Sequence, residues 1–168
     1  MATGFQTTVN LQQAAAVEGD FASTNPRRSV VSHEGTLVAG TGGVTVARFA
    51  WADSTGKVTN AGSGVPTGFV ARSGQQGAAQ ITTYLAETSM VILQGYEVTL
   101  HESGDFWAKH ITNPATVGQK VFASLTTGQI QTAAAGATVA GYIETAFRVS
   151  GFPVGGTGAV GELIVISL

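Results

Sequence analysis

The sequence has no cysteine and few charged residues, and both shortages narrow the classes of protein to which it can belong. Without cysteine, disulfide bridges and thiolate metal sites are excluded. Charged residues make up 11% of the 168 positions and the net charge is −2, so no basic surface for nucleic acid is predicted. A surface with so little charge is better suited to contact with other protein than to a freely diffusing monomer.

Long hydrophobic runs are missing as well. Apolar runs are short, and a segment such as Leu163–Ile166 cannot cross a bilayer. The first residues, Met1–Gln6, lack the basic region and apolar stretch of a secretory signal. We therefore expect a protein that is made in the cytoplasm and has no membrane partner.

Glycine, by contrast, is abundant, with 23 residues, and the glycines separate short apolar–polar alternations. This punctuation is typical of many short strands joined by tight turns. The alternation is clearest in Tyr142–Val149, where Ile143 and Phe147 share one face and Glu144 and Arg148 share the other. The other single strands predicted are Val44–Trp51, Lys57–Thr59 (after the turn Asp53–Gly56), Thr67–Arg72, Gln80–Leu85 and Leu163–Ile166.

Two pairs of strands are separated by short polar turns that contain glycine, and both pairs predict β-hairpins. The first hairpin joins Glu97–His101 to Phe106–His110 through the turn Glu102–Asp105, and the second joins Lys120–Leu125 to Gln129–Thr132 through the turn Thr126–Gly128. So many short strands with little helix predict an all-β fold, either a small β-barrel or a jelly-roll-like sandwich. We expect residues 30–168 to form this single β domain.

Residues 1–29 lack the strand pattern of the rest. Ala14–Ala16 favours a short helix, but the segment is too short to form one independently. Gly19–Pro26 has no periodicity, and Pro26 holds the preceding residue, Asn25, in an extended conformation. We predict an extended N-terminal arm over residues 1–29 that becomes ordered against another surface.

No pattern in the sequence specifies a catalytic site. His101, Glu102, Asp105 and His110 flank or lie within one predicted turn and could hold zinc if the strand ends converged. The polar tip of a hairpin explains the same residues more simply. No nucleophile elbow is present, since Gly62–Gly64 precedes a proline in a loop. We expect no enzyme activity, no metal and no cofactor.

Six residues are the candidates for contact with a partner. Arg27 and Arg28 follow an extended Asn-Pro dipeptide, and they form either a solvated basic pair or an anchor for carboxylates of a partner. Phe106 and Trp107 point to opposite faces of a strand, so one belongs to the core and the other can anchor an interface. The predicted interface consists of Phe21, Asn25, Pro26, Arg27, Arg28 and Trp107.

Several segments, in this order, resemble one family. They are Ala16–Ser23, Asn25–Arg27, Leu37–Gly40, Val44–Trp51, Gly68–Val70, Ile81–Leu85, Gly104–Trp107 and Pro114–Val121. Together they resemble the structural cement, or head decoration, proteins of tailed bacteriophages, over roughly Ala16–Leu125. The last forty or so residues match that family only in general character.

The resemblance implies a capsid decoration protein on the exterior of the virion, made in the host cytoplasm. It would bind the major capsid protein of an expanded HK97-type head and bridge capsid subunits as a homodimer or homotrimer, without cofactor or catalysis. Two other functions remain open. One is a phage fibre or spike domain that binds a receptor or glycan, and the other is a carbohydrate-binding module or small β-sandwich hydrolase.

Overall fold

The computed structural model describes residues 17–32, 35–72, 90–153 and 155–168, and those residues form strands and loops without a helix. The all-β prediction is therefore confirmed for them. No helix in these ranges is long and apolar enough to cross a membrane. The strands are β1 (Arg28–Ser29), β2 (Val38–Ala39), β3 (Val44–Thr45), β4 (Phe49–Ala52), β5 (Lys57–Thr59), β6 (Gly68–Val70), β7 (Val91–Ile92), β8 (Leu100–Ser103), β9 (Asp105–Lys109), β10 (Lys120–Ser124), β11 (Ile130–Ala133), β12 (Tyr142–Gly151) and β13 (Leu163–Ser167).

Most of the strands belong to two sheets. The larger sheet has the order β1-β8-β6-β4-β5-β2, and the smaller has the order β11-β10-β12-β13-β9. Neighbouring strands are antiparallel except for β2 and β5, and β3 pairs with β7 in a separate ribbon. An isolated parallel bridge between His110 and Ile130 links the ends of β9 and β11, the two edge strands of the smaller sheet.

Four phenylalanines connect the two sheets into a sandwich-like arrangement. Phe49 and Phe69 extend from the larger sheet, and Phe106 and Phe147 extend from the smaller one. The ring centroids of Phe69 and Phe106 lie 4.9 Å apart, and those of Phe49 and Phe147 lie 5.6 Å apart. All four side chains are buried. Aromatic rings at such distances add to the free energy of burial, so this cluster forms the centre of the core.

Local patterning predicts several of these elements correctly. β10 and β11 form a hairpin at Thr126–Gly128, and β4 and β5 form one at Asp53–Gly56. In β12, the sequence predicts that Ile143, Thr145, Phe147 and Val149 share one face; the last three are buried and Ile143 is half-buried. The second half of β12 alternates because one of its faces lies on the core. By contrast, β4, β10 and β11 each carry three or more consecutive buried residues.

The predicted hairpin between Glu97–His101 and Phe106–His110 is wrong, because β8 belongs to the larger sheet and β9 to the smaller one. The connection, Gly104, has a φ of 135°, which residues with a side chain rarely adopt. Its backbone exchanges hydrogen bonds with Leu168 rather than closing onto β8. The chain therefore crosses here from one sheet to the other.

The single strand predicted over Val44–Trp51 is also wrong. The chain forms β3, breaks at residues 46–48, and resumes as β4. Ala47 has a φ of 61° and is buried, and its N–H donates to Val70 O. This left-handed residue interrupts the strand, and Phe49, Ala50 and Trp51 of β4 beyond it are all buried. The strand predicted over Thr67–Arg72 is shorter, and both Gln80–Leu85 and the helix predicted at Ala14–Ala16 lie outside the described residues.

Candidate partner-binding surface

Residues 17–29, which we call the edge segment, lie along the side of the sandwich where β8 of one sheet approaches β9 of the other. Gly19 N–H donates to Trp107 O at 2.7 Å, and Ala22 N–H donates to Asp105 O at 2.8 Å. Farther along, β1 pairs with β8 in the larger sheet. The edge segment therefore contacts both sheets and covers the open edge of β9.

Phe21 fills the gap between the two sheets at this edge. Its ring centroid lies 5.4 Å from that of His101 on β8 and 5.5 Å from that of Phe106 on β9. Because Phe106 belongs to the central cluster of four phenylalanines, Phe21 extends the aromatic core to the surface. The guanidinium carbon of Arg27 then lies 3.9 Å from the Phe21 ring centroid, on the outside. This is a cation–π arrangement.

Gly19 is the position where the edge segment comes closest to the rest of the fold. Its φ is +90°, and a Cβ there would lie 2.9 Å from Val46 Cγ1 and 3.3 Å from Arg72 Cβ. Its carbonyl accepts a hydrogen bond of 2.7 Å from Arg72 N–H. Only glycine satisfies both the backbone conformation and the space available.

Two acidic side chains fix the later part of the edge segment. Asp105 Oδ2 accepts hydrogen bonds from Ser23 Oγ at 2.5 Å and from Asn25 Nδ2 at 2.7 Å. Glu102 Oε2 lies 2.5 Å from Arg28 Nη2. These contacts join side chains from distant parts of the sequence, and they determine how residues 23–28 lie on the surface.

His101 lies beneath the edge segment. Burial lowers the pKa of His101 below its ordinary value of 6.5, and the nearby charge of Arg27 lowers it further. Its Nδ1 lies 3.3 Å from Ser29 Oγ. A neutral imidazole is favoured here, since a second cation would be placed close to the Arg27 guanidinium.

The six candidate interface residues all lie on the edge segment or beside it. Asn25, Pro26, Arg27 and Arg28 are exposed on the outer half of the edge segment, while Phe21 and Trp107 are half-buried. Phe21 and Arg27 are in contact, and Arg28 is paired with Glu102, as described above. Trp107 lies on β9, and its backbone N–H donates to Asp20 O at 2.9 Å. Their role in partner binding remains a prediction.

Sequence reasoning did not recognise His101 and Asp105 as residues that position the edge segment. It grouped them with Glu102 and His110 as a weak zinc site, but no group of three or more potential ligands forms among the described residues. His110 instead lies fully buried near the end of β9. The only local signal was a set of polar residues around Gly104, and it does not reveal which distant residues they contact.

The family and the solved structure that this chain matches both come from phage capsids. A family model described as XM1 gp53 minor capsid protein matches residues 5–168 of the chain. No curated protein sequence matches it significantly. Among solved structures, the chain is similar to a chain from "The capsid of Myoviridae Phage XM1", with a TM-score of 0.55 and 16% sequence identity over 98% of this chain and 97% of that chain. At this identity the likeness concerns the fold alone.

Proposed function

The chain belongs to the XM1 gp53 minor capsid protein family and is a phage capsid-associated structural protein, and from that premise we propose that it is a decoration, or cement, protein. In this proposal it binds the major capsid protein on the outer surface of the expanded head and stabilises the shell by bridging capsid subunits. The proposal includes no catalytic step and no cofactor.

The observation that carries the proposal is the division of the edge segment into an inner and an outer half. Gly19–Ser23 are buried or half-buried, and Phe21 continues the aromatic core. Residues 24–28 are exposed and are fixed by Asp105 and Glu102. An exposed segment that is already ordered loses little conformational entropy on binding, which suits a protein that must attach firmly to a preassembled lattice.

We further propose that the protein acts as a homodimer or homotrimer. Charged residues are only 11% of the chain, and several valines stand largely in solvent. Val31 is 90% exposed, Val65 is 67% exposed and Val117 is 60% exposed. Contacts between copies would cover such side chains, and an oligomer that engages several capsid subunits gains affinity through effective concentration. Sedimentation equilibrium of the purified protein tests this directly, and a monomer at all concentrations would contradict it.

The decisive experiment is co-sedimentation with expanded, undecorated heads and, separately, with unexpanded proheads. We expect saturable binding to expanded heads alone, and the number of copies bound per head would give the symmetry of the sites. Binding to intact, DNA-filled heads would locate those sites on the exterior. Binding to neither form would contradict the proposal and favour a fibre or spike domain that recognises a receptor or glycan.

A further inference from the structure

The two neighbouring arginines of the edge segment have different surroundings. The Arg28 guanidinium lies 2.5 Å from a Glu102 carboxylate oxygen, so its charge is already balanced. The Arg27 guanidinium lies over the Phe21 ring. Among the described residues no carboxylate forms an ion pair with Arg27. The exposed guanidinium of Arg27 is therefore the unbalanced positive charge of this pair.

Three acidic side chains of the edge segment and of the strands beside it are engaged with other residues. Asp105 Oδ2 accepts hydrogen bonds from Ser23 and Asn25. Asp20 Oδ1 lies 3.9 Å from Arg72 Nη1, and Glu102 is paired with Arg28. None of these three carboxylates forms an ion pair with Arg27, so its guanidinium remains available for a carboxylate of a partner.

Arg27 is also held in place before any partner arrives. Its guanidinium rests on Phe21, whose ring is supported from behind by His101 and Phe106. At the other end of the side chain, a Cβ on Gly104 would lie 3.1 Å from Arg27 Cβ, so the stem of Arg27 runs close to the backbone at the crossing between the sheets. An arginine fixed at both ends gives up less rotamer freedom when it binds.

We infer that Arg27, supported by Phe21, is a receptor for an acidic side chain of the capsid protein. This inference rests on the proposed function and names the chemistry of the partner. The guanidinium offers several N–H donors in one plane, which suits two-point binding of an Asp or Glu carboxylate. Asn25 and Pro26, which are exposed beside it, form the adjoining part of the contact.

The test measures binding of purified variants to expanded heads over a range of salt concentrations. Arg27→Gln is expected to weaken binding roughly tenfold or more and to reduce its salt dependence. Arg27→Lys keeps the charge but loses the planar fork, so its affinity should lie between those of wild type and Arg27→Gln. Arg28→Gln should lose at most about threefold, since that charge is already neutralised.

Lys57→Gln is the matched control, because it removes one exposed positive charge from β5, at the far side of the larger sheet from β1. Thermal melting of every variant establishes that all are folded. If Arg27→Gln binds as Lys57→Gln does, or if Arg27→Gln and Arg28→Gln weaken binding equally, the inference is wrong. If the wild-type protein itself fails to bind heads, the proposed function is wrong, and the inference that rests on it is wrong too. Binding by the wild type without the expected effect of Arg27→Gln would contradict the inference alone.

Discussion

The β10–β11 turn and the β8–β9 connection each contain a glycine with positive φ, yet one returns the chain to the same sheet and the other carries it across to the opposite sheet. In the first, Gly128 N–H donates to Ser124 O and Ser124 N–H donates to Gln129 O, so the turn closes on itself. In the second, Gly104 exchanges hydrogen bonds with Leu168. The β10–β11 turn also contacts a distant residue, since Phe49 N–H donates to Gly128 O, but its own backbone closes it, whereas the crossing is held by the distant contact with Leu168.

The largest expected effects come from the two glycines themselves. A Cβ on Gly128 would collide with Phe49 O, and a Cβ on Gly104 would lie 3.0 Å from the Phe106 ring. Because both positions also have positive φ, we expect each alanine variant to lower the free energy of unfolding by about 3 kcal/mol. Gly136→Ala, at φ +73° with open space around it, should cost only about 1 kcal/mol. Urea unfolding measures the free energy of unfolding of all three variants. A loss in Gly136→Ala as large as in the other two would contradict the steric argument.

Phe21→Ala should lower the free energy of unfolding by about 2 kcal/mol, since it removes a half-buried ring from the edge of the core. Thr24→Ala, an exposed position in the same edge segment, should change it by less than about 0.5 kcal/mol. When Phe21→Ala is combined with Gly104→Ala, the losses in the free energy of unfolding should not be additive, because both changes disturb the contacts of Phe106. Additive losses in that pair would mean that the crossing and the edge segment are independent.

His110 links the strand after the β8–β9 crossing to the strand after the β10–β11 turn. It follows β9 and forms a bridge with Ile130 at the start of β11. It is fully buried, and neither ring nitrogen has a hydrogen-bond partner among the residues that the structure describes. Burial of an unpaired polar group is unfavourable, so His110→Leu should raise the free energy of unfolding by about 1 kcal/mol. A clear loss of stability in thermal or urea unfolding would indicate that the imidazole makes a contact essential to the fold.

The smallest expected effect is a dependence on pH at the edge segment. The pKa of His101 is lowered in the folded protein by burial and by Arg27, so the unfolded chain binds the proton more readily. Above a pH of about 6.5, His101 is neutral in both states and does not reduce the free energy of unfolding. Below that pH the unfolded chain takes up the proton first, so the free energy of unfolding declines. His101→Gln, which cannot titrate, should show a weaker loss of stability between pH of about 7.5 and about 5.5. Identical losses in the two proteins would show that other groups are responsible.

The contrast between the two turns explains which elements could be predicted from the sequence. Thr126–Gly128 and the alternation of Tyr142–Val149 are encoded by neighbouring residues, and both predictions are confirmed. The residues around Gly104 give the same local signal, but the sheet to which β9 belongs is decided by its pairing with β13. The left-handed Ala47 likewise gives no local warning, since alanine rarely adopts that conformation.

The candidate surface was predictable only in its residue types. The sequence indicated that Arg27 and Arg28 could anchor a partner, but it treated them as equivalent. They differ because β1 pairs with β8 in a register that sets Arg28 opposite Ser103, next to Glu102, and leaves Arg27 over Phe21. A difference that arises from strand register between distant segments cannot be recognised from residue types or spacing.

Because of the hydrogen bonds between the edge segment and β9, the resistance of this edge to force depends on the direction of the force. Gly19 and Asp20 are hydrogen-bonded to Trp107, and Ala22 to Asp105, around the antiparallel bridge of Phe21 with Phe106. Hydrogen bonds between antiparallel segments run perpendicular to them. A force applied along the segment loads these bonds together in shear, whereas a force that lifts the outer half away loads them one after another. A pull on Arg27 directed along the edge segment would thus meet far greater resistance than the same pull directed away from β9.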